Sequence, residues 1–160
     1  MTKSLLYVET SVISYLTARP SRDLVTAARQ TWTREWWDVA FQSWEVTSSE
    51  LVVEEAGRGN PEAATRRLEA LRGLRLLPTN TEAQILAAKL IELGALPATE
   101  PEDALHIAIA TVAEAHYLVT WNFAHLVGPD AKLKLLDTLR ACGKNPPLLT
   151  TPEELLEIML

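Results

Sequence analysis

Residues 5–13, Leu5-Leu6-Tyr7-Val8-Glu9-Thr10-Ser11-Val12-Ile13, run from an apolar stretch of strand length into an acid, then into two hydroxylic residues and a further apolar pair. Leu5 to Val8 reads as the first strand. The acid that ends it has three readings: a solvated strand end, a cap for a following helix, or one ligand of a site assembled by folding. Glu55, Asp103 and Asn122 each fall at a comparable place, where an apolar segment meets a loop or a helix start.

Outward from that stretch, apolar runs of strand length alternate with segments of helical period, the pattern of a parallel α/β sheet. Leu24 to Phe41 is helical in period, with Trp32 and Trp36 one turn apart and Arg34, Glu35 and Asp38 for the wet side. Trp44 to Thr47 reads as the second strand. Ser48 and Ser49 cap a short helix carrying Leu51, Val52 and Glu55, which Gly57 and Gly59 end. Asn60-Pro61 restarts a helix to about Leu71, with Asn as cap and Pro at the first helical position. Leu74 to Leu77 is the third strand. Thr81 with Gln84 predicts a capping box for a helix to about Leu93, and Pro101 opens a helix that contains Asp103. Tyr117 to Thr120 is the next strand, followed by a helix near Lys132 to Ala141 and a short apolar segment at Leu148-Leu149. Thr151-Pro152-Glu153-Glu154 predicts a last, short helix. No repeat or linker interrupts the pattern, so residues 1–160 are expected to form a single domain.

Composition narrows the chemistry. The 160 residues are 48% hydrophobic and 22% charged, the mix of one globular domain with a sizeable core. No apolar run approaches the roughly 18 to 20 residues that cross a bilayer, and the first residues lack the regions of a signal peptide, so a cytoplasmic protein with no membrane partner is expected. Cys142 is the sole cysteine, which excludes an internal disulfide and a zinc site built on several thiolates. A net charge of -6 argues against binding nucleic acid by bulk electrostatics, although a local basic rim remains compatible with it.

In open parallel sheets, functional groups gather beyond the C-terminal ends of the strands. Glu9 and Asn122 are placed for that edge, and the helices that carry Glu55 and Asp103 can point their ends at the same cleft. Carboxylates that converge repel one another unless a cation neutralises them. Oxygen ligands that leave room for water are the preference of Mg2+ and Mn2+, ions that activate water and stabilise charge developing on a phosphodiester.

The run LLYVETSVISYLTARPSRD, the segment SSELVVEEAGRG, the helix EDALHIAIA and the strand YLVTWNFAHL together resemble the PIN-domain ribonucleases, specifically toxins of the VapC type, over nearly the whole chain. The resemblance implies a PIN-like three-layer α/β/α sandwich with a central parallel sheet. It implies a metal-dependent endoribonuclease, the toxin of a type II toxin-antitoxin system, which hydrolyses RNA with a metal-activated water. A homodimer and a cognate VapB-like antitoxin partner are implied with it. By motif position, Glu9, Glu55, Asp103 and Asn122 fall on the catalytic and metal-binding residues, with Mg2+ or Mn2+ as cofactor. Glu54 is the neighbour of Glu55, and the register of the match selects Glu55. Thr10 and Ser11 match the small hydroxylic residues after the first acid, and Thr120 opens the T-x-N element. Two positions depart from the family pattern. Glu9 stands where Asp is commonest, and its extra methylene moves the carboxylate by roughly 1.5 Å at full extension. His125 stands where a further Asp commonly follows, which leaves one carboxylate fewer and favours Mn2+ or a single ion.

For substrate contacts, Arg19 and Arg22 are the phosphate candidates, then Arg58, and Trp121 between Thr120 and Asn122 is the one tryptophan proposed to stack on a base. The other four read as core or dimer seam. His106 shares a helix face with Asp103 and reads first as a packed structural histidine, second as a group that orients a carboxylate. An alternative to catalysis is a weak or inactive PIN-like module that acts by protein-protein interaction, which Glu9, His125 and the acidic net charge favour.

Overall fold

The computed structural model describes residues 2–159. Five strands, β1 (Ser4–Val8), β2 (Trp44–Ser49), β3 (Arg75–Leu77), β4 (Tyr117–Val119) and β5 (Leu148–Thr150), form one sheet in the order β3-β2-β1-β4-β5. Every pairing is parallel. The helices are α1 (Thr10–Thr17), α2 (Leu24–Ser43), α3 (Glu50–Ala56), α4 (Pro61–Leu71), α5 (Thr81–Glu92), α6 (Pro101–Val112), α7 (Pro129–Ala141) and α8 (Pro152–Glu157). α5 packs on α6 and α7, α2 on α1 and α8, and α4 on α1 and α3, so helical layers cover both faces of the sheet. The result is the parallel sheet that the alternating pattern predicts, in the three-layer α/β/α arrangement that the family resemblance implies. No described helix is long and apolar enough to cross a membrane.

β1 is the middle strand, and Leu6, Tyr7 and Val8 are wholly buried in it. The chain leaves β1 toward β2 and β3, then returns to the other side of β1 to build β4 and β5. The order therefore reverses between β1 and β4, where Val8 lies opposite Val119. Helices that leave neighbouring strands in opposite directions open a crevice at such a switch point, and Glu9 and Thr120 are the next residues on either side of it. β2 carries three fully buried hydroxylic residues, an unusual load for an inner strand. Thr47 Oγ1 donates to Leu6 O at 2.9 Å and Ser48 Oγ to Val8 O at 2.9 Å, so these hydroxyls are satisfied by the backbone of β1.

The local signals worked where they were short-range. Ser49, Asn60 and Thr151 each accept a hydrogen bond from the second or third amide of the helix they start, as their positions predict. Two expectations are corrected. Asn80, not Thr81, caps α5, because its carboxamide oxygen takes Ala83 N at 2.8 Å. α7 begins at Pro129 rather than Lys132, since Pro129 fits the first helical position directly after Gly128. A π-helical turn at Phe123–Val127, which no periodicity announced, joins β4 to α7.

Candidate functional site

Glu9 occupies the N-cap position of α1 with extended backbone, and its carbonyl accepts from Val12 N at 3.1 Å, yet its side chain caps nothing. The carboxylate turns into the crevice instead. It is only 7% exposed, and its Oε1 accepts from Ser11 Oγ at 2.5 Å and from Thr120 Oγ1 at 2.6 Å. The hydroxyls are themselves fixed: Ser11 Oγ takes Trp121 N at 2.9 Å and Thr120 Oγ1 takes Asn122 N at 3.0 Å. A buried acid held by two donors from opposite sides of the switch point is not a solvated strand end, so both ordinary readings of Glu9 fail.

Glu55 is presented by the last turn of α3, which β2 launches. Its Oε1 accepts from Thr10 Oγ1 at 2.5 Å and is 2.6 Å from His106 Nε2. Behind it lies a buried relay: His106 Nδ1 is 2.6 Å from Tyr7 OH, which is 2.8 Å from Ser49 Oγ. Burial works to raise the Glu55 carboxyl, but its bonds from His106, from Glu102 and from Thr10, with the His106 charge, bring it down to about 2. Burial opposes the charged form of His106 as well, and the Glu55 hydrogen bond with the nearby charges of Glu9, Glu55 and Asp103 outweighs it, so the imidazole is raised. The phenol of Tyr7 is pushed well up, chiefly by burial, and stays a neutral hydroxyl. Glu102, beside Glu55, is raised mainly by that carboxyl and is tied to Arg58 at 3.1 Å. Glu54 points away, to Arg58 on the surface.

Asp103, in the first turn of α6, is the third acid. Its Oδ1 accepts from Asn122 Nδ2 at 3.3 Å, and its Oδ2 is 2.8 Å from His125 Nδ1. Asn122 Oδ1 takes His125 N at 3.2 Å, which fastens the π-helical turn to the site. The position where a further acid was expected therefore holds an imidazole that bonds to the third acid.

All four predicted ligands reach one edge of the sheet, but no two of the three acids bond directly: Glu9 is linked to Asp103 through Thr120 and Asn122, and Glu55 is held apart by Thr10 and His106. Among the described residues no three His, Cys, Asp or Glu side chains stand together as an ion-enclosing group. The donor chemistry nonetheless fits a hard divalent cation. On Glu9 one oxygen takes both hydroxyl hydrogen bonds, which leaves Oε2 without one; on Glu55 the hydroxyl and imidazole bonds likewise fall on Oε1, and Oε2 is left to the neighbouring Glu102 carboxyl and the crevice. These oxygens are not sealed, because Trp36 Nε1 is the one buried side-chain polar atom left without a partner among the described residues. Two fixed carboxylates, with Glu9 Oε2 open and the Glu102 carboxyl crowded against Glu55, suit a cation that keeps several waters.

The proposed substrate contacts fare differently. The hydroxyls of Thr10, Ser11 and Thr120 are committed to the carboxylates, so they position acids rather than project at a ligand. The ring of Trp121 does not face the cleft: it is 4% exposed and its Nε1 donates to Thr33 Oγ1 at 2.9 Å, while only its backbone amide reaches the site. Arg19 pairs with Glu62 at 3.1 Å on the surface, and Arg22 is exposed before α2. Tyr7, Ser49 and Glu102 belong to the site and were not predicted; the one signal was a phenol inside an apolar strand beside a strand ending in hydroxyls. A cavity of about 610 Å³ lies at the other end of the sheet, against His116, Lys144 and Asn145, away from these acids.

No family model matches the chain, and no curated protein matches it. Among solved structures, the chain is similar to one in the crystal structure of VapBC2 from Rickettsia felis bound to a DNA fragment from their promoter. The TM-score is 0.59 at 13% identity, over 92% of this chain and 98% of that one. At such an identity the likeness speaks for the fold alone, a PIN-like three-layer α/β/α sandwich.

Proposed function

We propose that the chain is a divalent-metal-dependent endoribonuclease, the toxin of a type II toxin-antitoxin pair, acting in the cytoplasm as a homodimer and restrained by a VapB-like antitoxin. The observation that carries the reading is the arrangement of Glu9 and Glu55, buried or nearly so at the switch point, each fixed by hydroxyl or imidazole donors on one oxygen, with Glu9 Oε2 left open and Glu102 crowded against Glu55. Glu9, Glu55, Asp103 and Asn122 would hold Mg2+ or Mn2+. Such an ion supplies, when bound, an activated water and neutralisation of charge on the phosphate. The protein groups do the positioning. Ser11 and Thr120 aim Glu9; Thr10 and His106 aim Glu55 and keep it ionised at neutral pH; Asn122 and His125 fix Asp103.

A second reading, an interaction module with little or no catalysis, is favoured by the absence of a close-set acid triad among the described residues and by the imidazole of His125 on Asp103. One experiment separates the two. Antitoxin-free protein is incubated with tRNA, rRNA and mRNA and with Mg2+ or Mn2+, beside Glu9→Gln and Asp103→Asn. Glu9→Gln keeps an acceptor for Ser11 and Thr120 and removes only the charge. Cleavage that needs the ion and fails in both variants is the expected result. Cleavage that persists in EDTA or survives both substitutions overturns the metal site, and no cleavage of any substrate assigns the chain to the interaction reading.

A further inference from the structure

Beside the carboxylates, on the α2 side of the crevice, an aromatic row emerges from the core to the surface. Trp32 and Trp121 lie nearly parallel, 21° apart with centroids at 6.3 Å, and Phe123 follows Trp121 at 6.1 Å. Trp121 is buried, whereas Phe123, one residue beyond Asn122, is 43% exposed. Arg29 of α2 sets its guanidinium 4.8 Å from the Phe123 centroid and 5.5 Å from that of Trp121. Its polar contact is with Tyr15 OH at 3.4 Å, and it makes no ion pair among the described residues, although Asp23 feels its charge. Phe123 is held out by the π-helical turn: Gly128 N donates to Phe123 O at 2.9 Å, and a Cβ at Gly128 would collide with that oxygen. The turn is anchored to Asp103 through Asn122 at its start. The exposed ring is thus fixed relative to the acids rather than carried on a free loop.

We propose that Phe123 and Arg29 seat one unpaired nucleotide of single-stranded RNA next to the carboxylates, the ring and guanidinium plane against the base and the free charge toward a phosphate; this rests on the ribonuclease reading for the identity of the strand. A chain of net charge -6 cannot gather RNA by bulk attraction, so affinity must come from local contacts. Base stacking is tolerant of sequence and does not depend on net charge, and an arginine without a carboxylate partner supplies the one local positive group such a strand needs. The surface phenylalanine takes the role that its buried neighbour Trp121 cannot.

The test is binding without catalysis. Fluorescence anisotropy in EDTA measures the affinity of the full chain for a labelled eight-nucleotide single-stranded RNA and for an abasic strand of the same length. Wild type is expected to prefer the base-bearing strand. Phe123→Ala is expected to weaken that strand roughly tenfold and to leave the abasic strand unchanged, with Phe123→Trp restoring affinity. Arg29→Ala is expected to weaken both strands, and Arg29→Lys less so. The seat is overturned if Phe123→Ala binds like wild type, if both strands weaken equally in it, or if wild type binds neither. It is overturned as well if Phe123→Ala changes the oligomeric state and not the RNA affinity, which would make the patch a contact between copies. Because no cleavage is read, loss of the seat and loss of the ribonuclease activity are separate outcomes.

Discussion

His106 and His125 each hold a carboxylate on the same edge of the sheet, under opposite conditions. His106 is 1% exposed and bonds Glu55 at 2.6 Å; His125 is 32% exposed and bonds Asp103 at 2.8 Å. The lengths are similar, so geometry alone does not rank the two pairs. Surroundings do. Behind His106 stands Tyr7, itself bonded to Ser49, which occupies the other nitrogen and leaves the ring no alternative partner. His125 lies on the π-helical turn with water in reach. A buried pair is costly to break because the surviving charge has no solvent to turn to, whereas a half-exposed one is screened and replaced by water.

The sharpest way to break this comparison is His106→Ala. It leaves Glu55 and the Tyr7 hydroxyl without their imidazole partner and opens space in the core, so the expected loss is about 3–5 kcal/mol in urea denaturation. A loss under about 1 kcal/mol would mean that the pair is not a structural unit. Tyr7→Phe removes one hydroxyl, leaves the ring, and strands His106 Nδ1; an expected loss of about 1–3 kcal/mol places it below His106→Ala.

The pH dependence of stability sharpens the same contrast. In the folded chain Glu55 titrates at about 2 against an ordinary 4.5, so its contribution is complete above about 4.5 and is lost as pH falls toward 2. His106 is shifted the other way, up from 6.5, so its contribution is complete below that value and is lost as pH rises through the folded one. The pair therefore stabilises most between about 4.5 and 6.5. Denaturation midpoints of wild type and His106→Ala, compared across pH 3 to 9, are expected to differ most inside that window and to draw together on both sides. A difference that is flat with pH would detach the stability of the pair from its charge.

The same contrast marks how far the sequence could be read. Glu9 stood out because an acid that ends an apolar run conflicts with its neighbours, and caps such as Asn60 and Thr151 are decided within four residues. The parallel direction of the strands follows from alternation, whereas their order β3-β2-β1-β4-β5 does not. The partners of the acids did not follow. His106 shares a helix face with Asp103 by spacing, yet it bonds Glu55, 51 positions away, because β1 and α6 bring Tyr7 behind the ring. The side on which a strand-end residue lies is likewise set by register: with Val8 opposite Val119, Thr120 reaches Glu9 and the ring of Trp121 goes into the α2 layer. The π-helical turn that exposes Phe123 depends on a carbonyl contact at Gly128 that no local periodicity encodes.

The smallest expected effect belongs to His125→Ala. Its ring is partly solvated, Asp103 keeps Asn122 Nδ2 on the other oxygen, and the turn keeps the bond from His125 N to Asn122 Oδ1, since that donor is backbone. Truncation removes one exposed contact and buries no orphan, so stability is expected to fall by about 1 kcal/mol or less. Asp103→Asn is expected to cost equally little in stability, because the carboxamide can still accept from one partner. Together the two variants ask whether this end of the site is held by charge or by the turn. A loss above about 2 kcal/mol for His125→Ala, with Asp103→Asn neutral, would show that the imidazole supports the π-helical turn rather than the acid, and would remove the difference between the two histidines.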